Sequence, residues 1–94
     1  MSEQVILTLY VAGSNPRSER AIQNLRRISE AFFAARCQIQ IVDVLIRPEI
    51  AELARIVATP TLVREQPQPE RRVIGDLSNQ MTVLKALSIS ADID

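Results

Sequence analysis

The 94-residue sequence contains no histidine and no tryptophan, and it has one cysteine and two glycines. Without histidine, the chain lacks the commonest general base and metal ligand of proteins. A single cysteine excludes an intramolecular disulfide and a cysteine-based zinc site. Two glycines are too few for a glycine-rich phosphate loop, so any bound nucleotide would belong to a partner. We therefore expect no catalytic residue, no cofactor and no metal.

Aromatic residues are also scarce, and the chain has no net charge. Aromatic residues form 3% of the chain and hydrophobic residues 47%, so the core must be built from aliphatic side chains. The formal net charge is zero, from 11 basic and 11 acidic residues. This balance argues against a DNA-binding protein, because neutralising phosphates takes a basic excess. Zero net charge also gives little protection against self-association, which favours an oligomer.

Membrane and export signals are missing as well. No apolar run approaches the ~20 residues that span a bilayer, and the polar start of the chain (MSEQ) does not resemble a signal peptide. The sparing use of cysteine suits a reducing compartment. We therefore expect a cytoplasmic protein with neither a membrane nor a nucleic-acid partner. The length is typical of one domain, which we expect over residues 1–94.

The first half of the sequence predicts a β-α-β unit. Residues 5–11 (VILTLYV) are apolar on both faces, which indicates a central, buried strand. Asn15 can cap a helix whose first position suits Pro16, and this helix is predicted to end near Ala34. Residues 37–44 (CQIQIVDV) form a second strand, parallel to the first. The apolar stripe of the helix consists of Ala21, Leu25, Ile28 and Phe32, widened by Ile22.

The second half suits more than one element order. Pro48 can start a short helix, which Thr59-Pro60 would end. Antiparallel strands are predicted at residues 61–63 and 71–75, joined by the QPQP turn. The predicted apolar side of the short helix comprises Ile50, Leu53, Ala54 and Val57; a last helix, capped by Ser78, would turn Leu77, Met81, Leu84 and Leu87 inward.

The resulting order is β-α-β-α-β-β-α, with some segments ambiguous. Residues 56–57 and 62–63 suit either a strand or a helix, and residues 87–91 (LSISA) alternate as a strand would. The first half therefore has one interpretation and the second half has two.

Residues 58–62 (ATPTL) lie where a thioredoxin-like domain carries its cis-proline, at the start of a strand. Such a domain carries a Cys-x-x-Cys pair in the turn after its first strand, which corresponds to residues 14–18 (SNPRS) here. Because this turn has no cysteine, the sequence predicts a thioredoxin-type scaffold without redox chemistry. The expected role is binding, not catalysis.

Four segments together resemble the KaiB family of circadian clock proteins. They are residues 9–13 (LYVAG), 42–45 (VDVL), 58–62 (ATPTL) and 71–79 (RRVIGDLSN). They occur in order, with near-identical spacing, and the resemblance covers roughly residues 5–87. The KaiB-like domain at the N-terminus of the sensor kinase SasA is also similar, but less closely.

This resemblance implies a non-enzymatic regulator that binds a KaiC-type ATPase and modulates its phosphorylation state, with a KaiA-like or SasA-like protein as a further partner. It implies the thioredoxin-like order β-α-β-α-β-β-α in a monomer. It also implies an alternative KaiB ground-state order, β-α-β-β-α-α-β, in a homodimer or homotetramer, and the two orders share the first half. A different hypothesis is a KaiB-like stress or signalling adaptor with another partner, such as a histidine kinase.

The resemblance also implies a partner-binding surface formed by Arg20, Ile46, Leu53, Ala54 and Arg55. Arg20 and Arg55 keep the basic character of their positions. Ile46 stands where lysine is typical, and Leu53 and Ala54 stand where charged residues are typical. These departures concern the surface that would contact the partner.

Three further residues are implied in switching between the two arrangements. Pro60 would form a cis peptide bond in the thioredoxin-like form, although an ordinary trans proline is the simpler interpretation of the residue alone. Gly75 and Asp76 form a turn before the last helix, with Gly75 supplying permissive backbone angles. We expect substitution of Gly75 and Asp76 together to favour the thioredoxin-like form.

The remaining polar residues have simpler interpretations. Cys37 begins an apolar strand, as a small buried hydrophobe would. Asp43 ends an otherwise apolar strand, where capping or an ion pair with an arginine is a better explanation than acid catalysis. The arginines could dock a partner, but they are typical of a solvated helix and of a strand protected against aggregation; they are Arg17, Arg20, Arg26, Arg27, Arg71 and Arg72.

Overall fold

The computed structural model describes residues 4–32 and 37–87, which form a four-stranded sheet and three helices. Their order is the β-α-β-α-β-β-α predicted for a thioredoxin-like domain. The predicted helix end at Ala34 and the strand alternative beyond Leu87 lie outside the described residues. The elements are β1 (Val5–Val11), α1 (Pro16–Phe32), β2 (Cys37–Asp43), α2 (Pro48–Leu53), β3 (Thr61–Gln66), β4 (Arg71–Ile74) and α3 (Gln80–Ala86).

The sheet is mixed, with the strand order β2-β1-β3-β4. β1 pairs in parallel with β2 and antiparallel with β3, and β4 pairs antiparallel with β3. β1 is therefore central, as predicted, and every residue in it except Ile6 is buried. Apolar side chains on both faces are what such a position requires.

The main core lies between alternate residues of β1 and the helices α1 and α3. Ala21, Leu25 and Ile28 of α1 are buried, which confirms the predicted stripe. Asn15 caps this helix by accepting a hydrogen bond from the Ser18 amide at 2.9 Å. The buried cluster contains Val5, Leu7, Leu9, Val11, Ala21, Leu25, Ile28, Leu62, Leu77, Val83, Leu84 and Leu87.

The two shorter helices differ from expectation. α2 has six residues, none of them fully buried. Of its predicted apolar side, Leu53 and Val57 are exposed, whereas Ile50 and Ala54 are half-buried. In α3 the cap is Asn79, not Ser78, because the Asn79 side chain accepts the Thr82 amide hydrogen bond at 3.0 Å. The helix thus starts later than predicted. Leu77, Leu84 and Leu87 are buried as predicted, whereas Met81 is exposed and Val83 is buried.

None of the helices in the described ranges has the length and apolar character needed to cross a bilayer.

Candidate functional site

The most unusual surface of the described chain is the segment from residue 44 to residue 57, here called the loop–helix surface. It contains the connection from β2 to α2, α2 itself and the residues that follow. Leu45 is 69% exposed, Ile46 73%, Leu53 85% and Val57 89%. Single exposed hydrophobic residues are ordinary, but four within 13 residues suggest a surface that another molecule covers.

The connection from β2 to α2 is ordered by Asp43. Its Oδ1 atom accepts hydrogen bonds from the backbone amides of Gly13 and Leu45, each at 3.0 Å. Its backbone carbonyl accepts the amides of Ile46 at 3.0 Å and Arg47 at 2.9 Å. The capping interpretation of Asp43 is therefore confirmed.

Gly13 provides the space beside this connection. Its φ is +74°, a value that favours glycine, and a Cβ atom there would lie 3.1 Å from Cδ1 of Leu45. The loops after β1 and β2 therefore pack directly against each other, since these neighbouring parallel strands end at the same edge.

The other end of α2 is tied to β4 by Arg72. This side chain donates hydrogen bonds to the carbonyls of Ala54 and Arg55, the second at 3.0 Å, and it also contacts Glu70 at 2.9 Å. β4 is an edge strand of the described sheet, which suits the interpretation of Arg72 as a protective cation, and Arg72 also binds the end of α2. Its neighbour Val73 packs against the core, so Arg72 reaches α2 from the opposite face of the sheet.

Beside α2 lies an open groove of about 510 Å³, which adjoins a second of about 200 Å³. The two share three apolar residues, Val44, Ala51 and Ile56. Glu49 and Glu52 border the larger groove, and Arg47 lies 3.9 Å from Glu49. The loop–helix surface thus combines protruding apolar side chains with a shallow apolar depression.

Arg20 lies at a second place, where α1 meets the turn before α3. Its Nε atom is 3.2 Å from Oδ2 of Asp76, and the Asn24 side chain donates to the Asp76 carbonyl at 2.8 Å. Hydrogen bonding by Ser78, followed by the charge of Arg20, lowers the pKa of the Asp76 carboxyl against an opposing effect of desolvation.

Gly75 and Pro60 meet at this turn. The Thr59–Pro60 peptide bond is cis, and the Pro60 carbonyl accepts the Gly75 amide hydrogen bond at 2.9 Å. Gly75 has φ +129°, a conformation available mainly to glycine. Gly75 and Asp76 thus both make contacts in the thioredoxin-like arrangement. How their joint substitution shifts the balance between the two arrangements stays a prediction.

The KaiB domain family matches residues 8–89 of the chain. Over 84 residues the chain is 48% identical to the circadian clock oscillator protein KaiB of Synechococcus sp. (strain RCC307), covering 89% of this chain and 76% of that protein. It is 47% identical over 87 residues to the KaiB of Parasynechococcus marenigrum (strain WH8102), with 93% and 84% covered. The chain belongs to the KaiB family.

Solved structures agree on the fold. The N-terminal domain of Synechococcus elongatus SasA superposes with a TM-score of 0.75 at 26% identity, over 100% of this chain and 92% of that one. The thioredoxin Deadhead of Drosophila melanogaster gives a TM-score of 0.72 at 14% identity, over 90% and 81%. The similarity to Deadhead shows only that the two folds are alike, and this shared fold is thioredoxin-like.

The structure separates the predicted partner-binding residues of this KaiB-family chain into two places. Ile46, Leu53, Ala54 and Arg55 share the loop–helix surface, whereas Arg20 pairs with Asp76. Sequence reasoning missed the exposure of Leu45 and Val57 and the contacts of Asp43 and Arg72. Gly13 follows β1 and Asp43 ends β2, and the two strands were predicted to be parallel neighbours. This prediction could have indicated that Asp43 and Gly13 lie close together.

Cys37 has the environment of a structural thiol. It is partly buried and packs against the core cluster, and burial raises the pKa of its thiol. A raised pKa lowers the fraction of reactive thiolate at neutral pH. No group of potential metal ligands is present among the residues that the structure describes.

Proposed function

We propose that this KaiB-family chain is a non-enzymatic clock regulator that binds a KaiC-type ATPase and modulates its phosphorylation state. A KaiA-like or SasA-like protein is the further partner, and the complex forms in the cytoplasm. The observation that carries this proposal is the loop–helix surface, which is apolar and exposed in a relative of circadian clock oscillator proteins.

The surface has enough apolar area to anchor a partner. Full burial of an exposed Ile, Leu or Val side chain stabilises a contact by about 1.5–3 kcal/mol. Each of Leu45, Ile46, Leu53 and Val57 could therefore contribute roughly one to two powers of ten in affinity before the costs of association. Arg55 would add a charge contact on this surface, and Arg20 would contact the partner at the separate turn before α3.

The proposal includes two arrangements of the C-terminal half. The thioredoxin-like form described above would bind the ATPase, and the alternative order β-α-β-β-α-α-β would occur in a homodimer or homotetramer. Support comes from residues 56–57 and 62–63, whose apolar pattern suits either a helix or a strand.

A second candidate is a stress or signalling adaptor whose partner is a different protein, such as a histidine kinase. Ile46, Leu53 and Ala54 favour it, because apolar side chains replace the charged ones typical of these positions. A partner of this chain would have to present a complementary apolar surface.

Size-exclusion chromatography tests the first candidate. The protein is mixed with the purified KaiC-type ATPase of its own organism, with and without ATP, and ATP-dependent co-migration is expected. Ile46→Asp and Leu53→Asp should each weaken binding by about tenfold or more. Met81→Asp is the matched control, because Met81 is also exposed (63%) but lies on α3.

Failure of the wild-type protein to co-migrate with the ATPase would contradict the first candidate. Binding to the purified sensor region of a histidine kinase from the same organism, with the same sensitivity at Ile46, would then support the second.

A further inference from the structure

Asp43 organises the part of the loop–helix surface from which Leu45 and Ile46 project. A single carboxylate oxygen, Oδ1, accepts amide hydrogen bonds from Gly13 in one loop and Leu45 in the other. The Asp43 backbone carbonyl accepts two more amides, from Ile46 and Arg47. One residue thus fixes both the path of its own loop and its distance from the neighbouring loop.

The loop that carries Leu45 and Ile46 is ordered although both side chains are exposed. Leu45 and Ile46 bury little surface in the free protein, so hydrophobic packing does not hold their loop in place. The ordering comes instead from hydrogen bonds, together with the close approach of Leu45 to Gly13. A loop that is ordered before binding loses less conformational entropy on association than a free one.

We propose that Asp43 is a positioning residue for partner binding, which presents Leu45 and Ile46 in their binding conformation through its Oδ1 atom. This inference rests on the proposed function, because it concerns the same surface. Asp43 itself need not touch the partner. Within the described ranges no cation lies within 4.0 Å of its carboxylate, so the proposal rests on the acceptor atom and not on an ion pair.

Substitutions at Asp43 separate these roles. Asp43→Asn keeps an oxygen acceptor at the Oδ1 position but removes the charge. Asp43→Ala removes the acceptor, and Asp43→Ser offers a hydroxyl on a side chain too short to reach both amides. We expect affinity for the KaiC-type ATPase to fall by about tenfold or more in Asp43→Ala. Asp43→Asn should stay near wild type and Asp43→Ser should fall between them.

Amide hydrogen exchange in the free protein provides a readout that needs no partner. The amides of Gly13 and Leu45 should exchange faster in Asp43→Ala than in wild type or Asp43→Asn. The amides of Leu9 and Leu62, in β1 and β3, should be unchanged and so show that the sheet is intact. If Asp43→Ala does not fold, Asp43→Ser and Asp43→Asn supply the same comparison.

Asn79→Ala is the control for a general loss of stability. It also removes a side-chain acceptor that caps a backbone amide, but it acts on α3 and not on the loop–helix surface. We expect it to lower stability without weakening binding. Equal weakening by Asn79→Ala and Asp43→Ala would overturn the positioning role.

The remaining outcomes are also decisive. Loss of binding in Asp43→Asn equal to that in Asp43→Ala would show that the charge matters, and would overturn the inference. Normal binding by Asp43→Ala beside normal wild-type binding would overturn the positioning role alone. Absence of wild-type binding to the ATPase would contradict the proposed function and this role together.

Discussion

Replacing Gly75 with alanine should destabilise the thioredoxin-like form through the backbone alone. Gly75 has φ +129°, and a Cβ atom there would have no neighbour within 4 Å, so no steric clash contributes. Such backbone conformations cost a non-glycine residue about 1–3 kcal/mol. The smaller entropy of unfolded alanine offsets about 0.4–1 kcal/mol of that cost. We expect a net loss of about 1–2 kcal/mol.

Thermal and urea unfolding of the monomer fraction isolated by size-exclusion chromatography, followed by circular dichroism, measure this loss. For a domain of this size, 1 kcal/mol lowers the midpoint by roughly 4–8 °C, so the variant should melt about 4–16 °C lower. The urea m-value should not change, because the surface exposed on unfolding is the same.

A D-alanine at position 75 separates backbone strain from any effect of the added methyl group. The chain can be assembled by ligation at its natural Cys37, and a D-residue adopts positive φ without the L-residue's penalty. The D-alanine protein should be at least as stable as wild type. Equal destabilisation by both enantiomers would refute the reasoning.

Three further expectations concern acid stability, the thiol and mass. The pKa of Asp76 is lowered in the folded state, so its contribution is present above about pH 4 and is lost as pH falls through the folded pKa; urea titrations from pH 5 to pH 2 should show a smaller acid loss in Asp76→Asn, and an unchanged loss would contradict the Arg20 and Ser78 contacts. Burial raises the pKa of Cys37, so iodoacetamide should label the folded protein more slowly than the urea-unfolded one, and insulin reduction by dithiothreitol should not accelerate. Light scattering should report a dimer or tetramer of the 10.5 kDa chain at micromolar concentration, whereas a monomer at every concentration would count against self-association.

The first half of the fold could be predicted from the sequence because its local signals agree. The apolar run of β1, the Asn15 cap and the stripe on α1 each fit one element, and the structure shows all three. In the second half, the predicted turn at Gly75 also occurs. The positive φ of Gly75 explains why a glycine occupies this position.

The second half could be predicted only in outline. The apolar spacing of α2 suggested an inward face, but a six-residue helix at the edge of the core leaves Leu53 and Val57 in solvent. The helical spacing of apolar residues alone cannot distinguish a side that packs against the core from one that is exposed on the surface. The contacts of Asp43 with Gly13 and of Arg72 with α2 join residues that are far apart in sequence, so predicting them requires the strand pairing and not a local pattern alone.

Hydrogen exchange on the purified complex with the KaiC-type ATPase tests the central claim most directly. Amides of the loop–helix surface, residues 44–57, should become protected on binding, whereas amides of α3 around Met81 should not. Protection confined to α3 or to the exposed edge of β4, with residues 44–57 exchanging as in the free protein, would contradict the account.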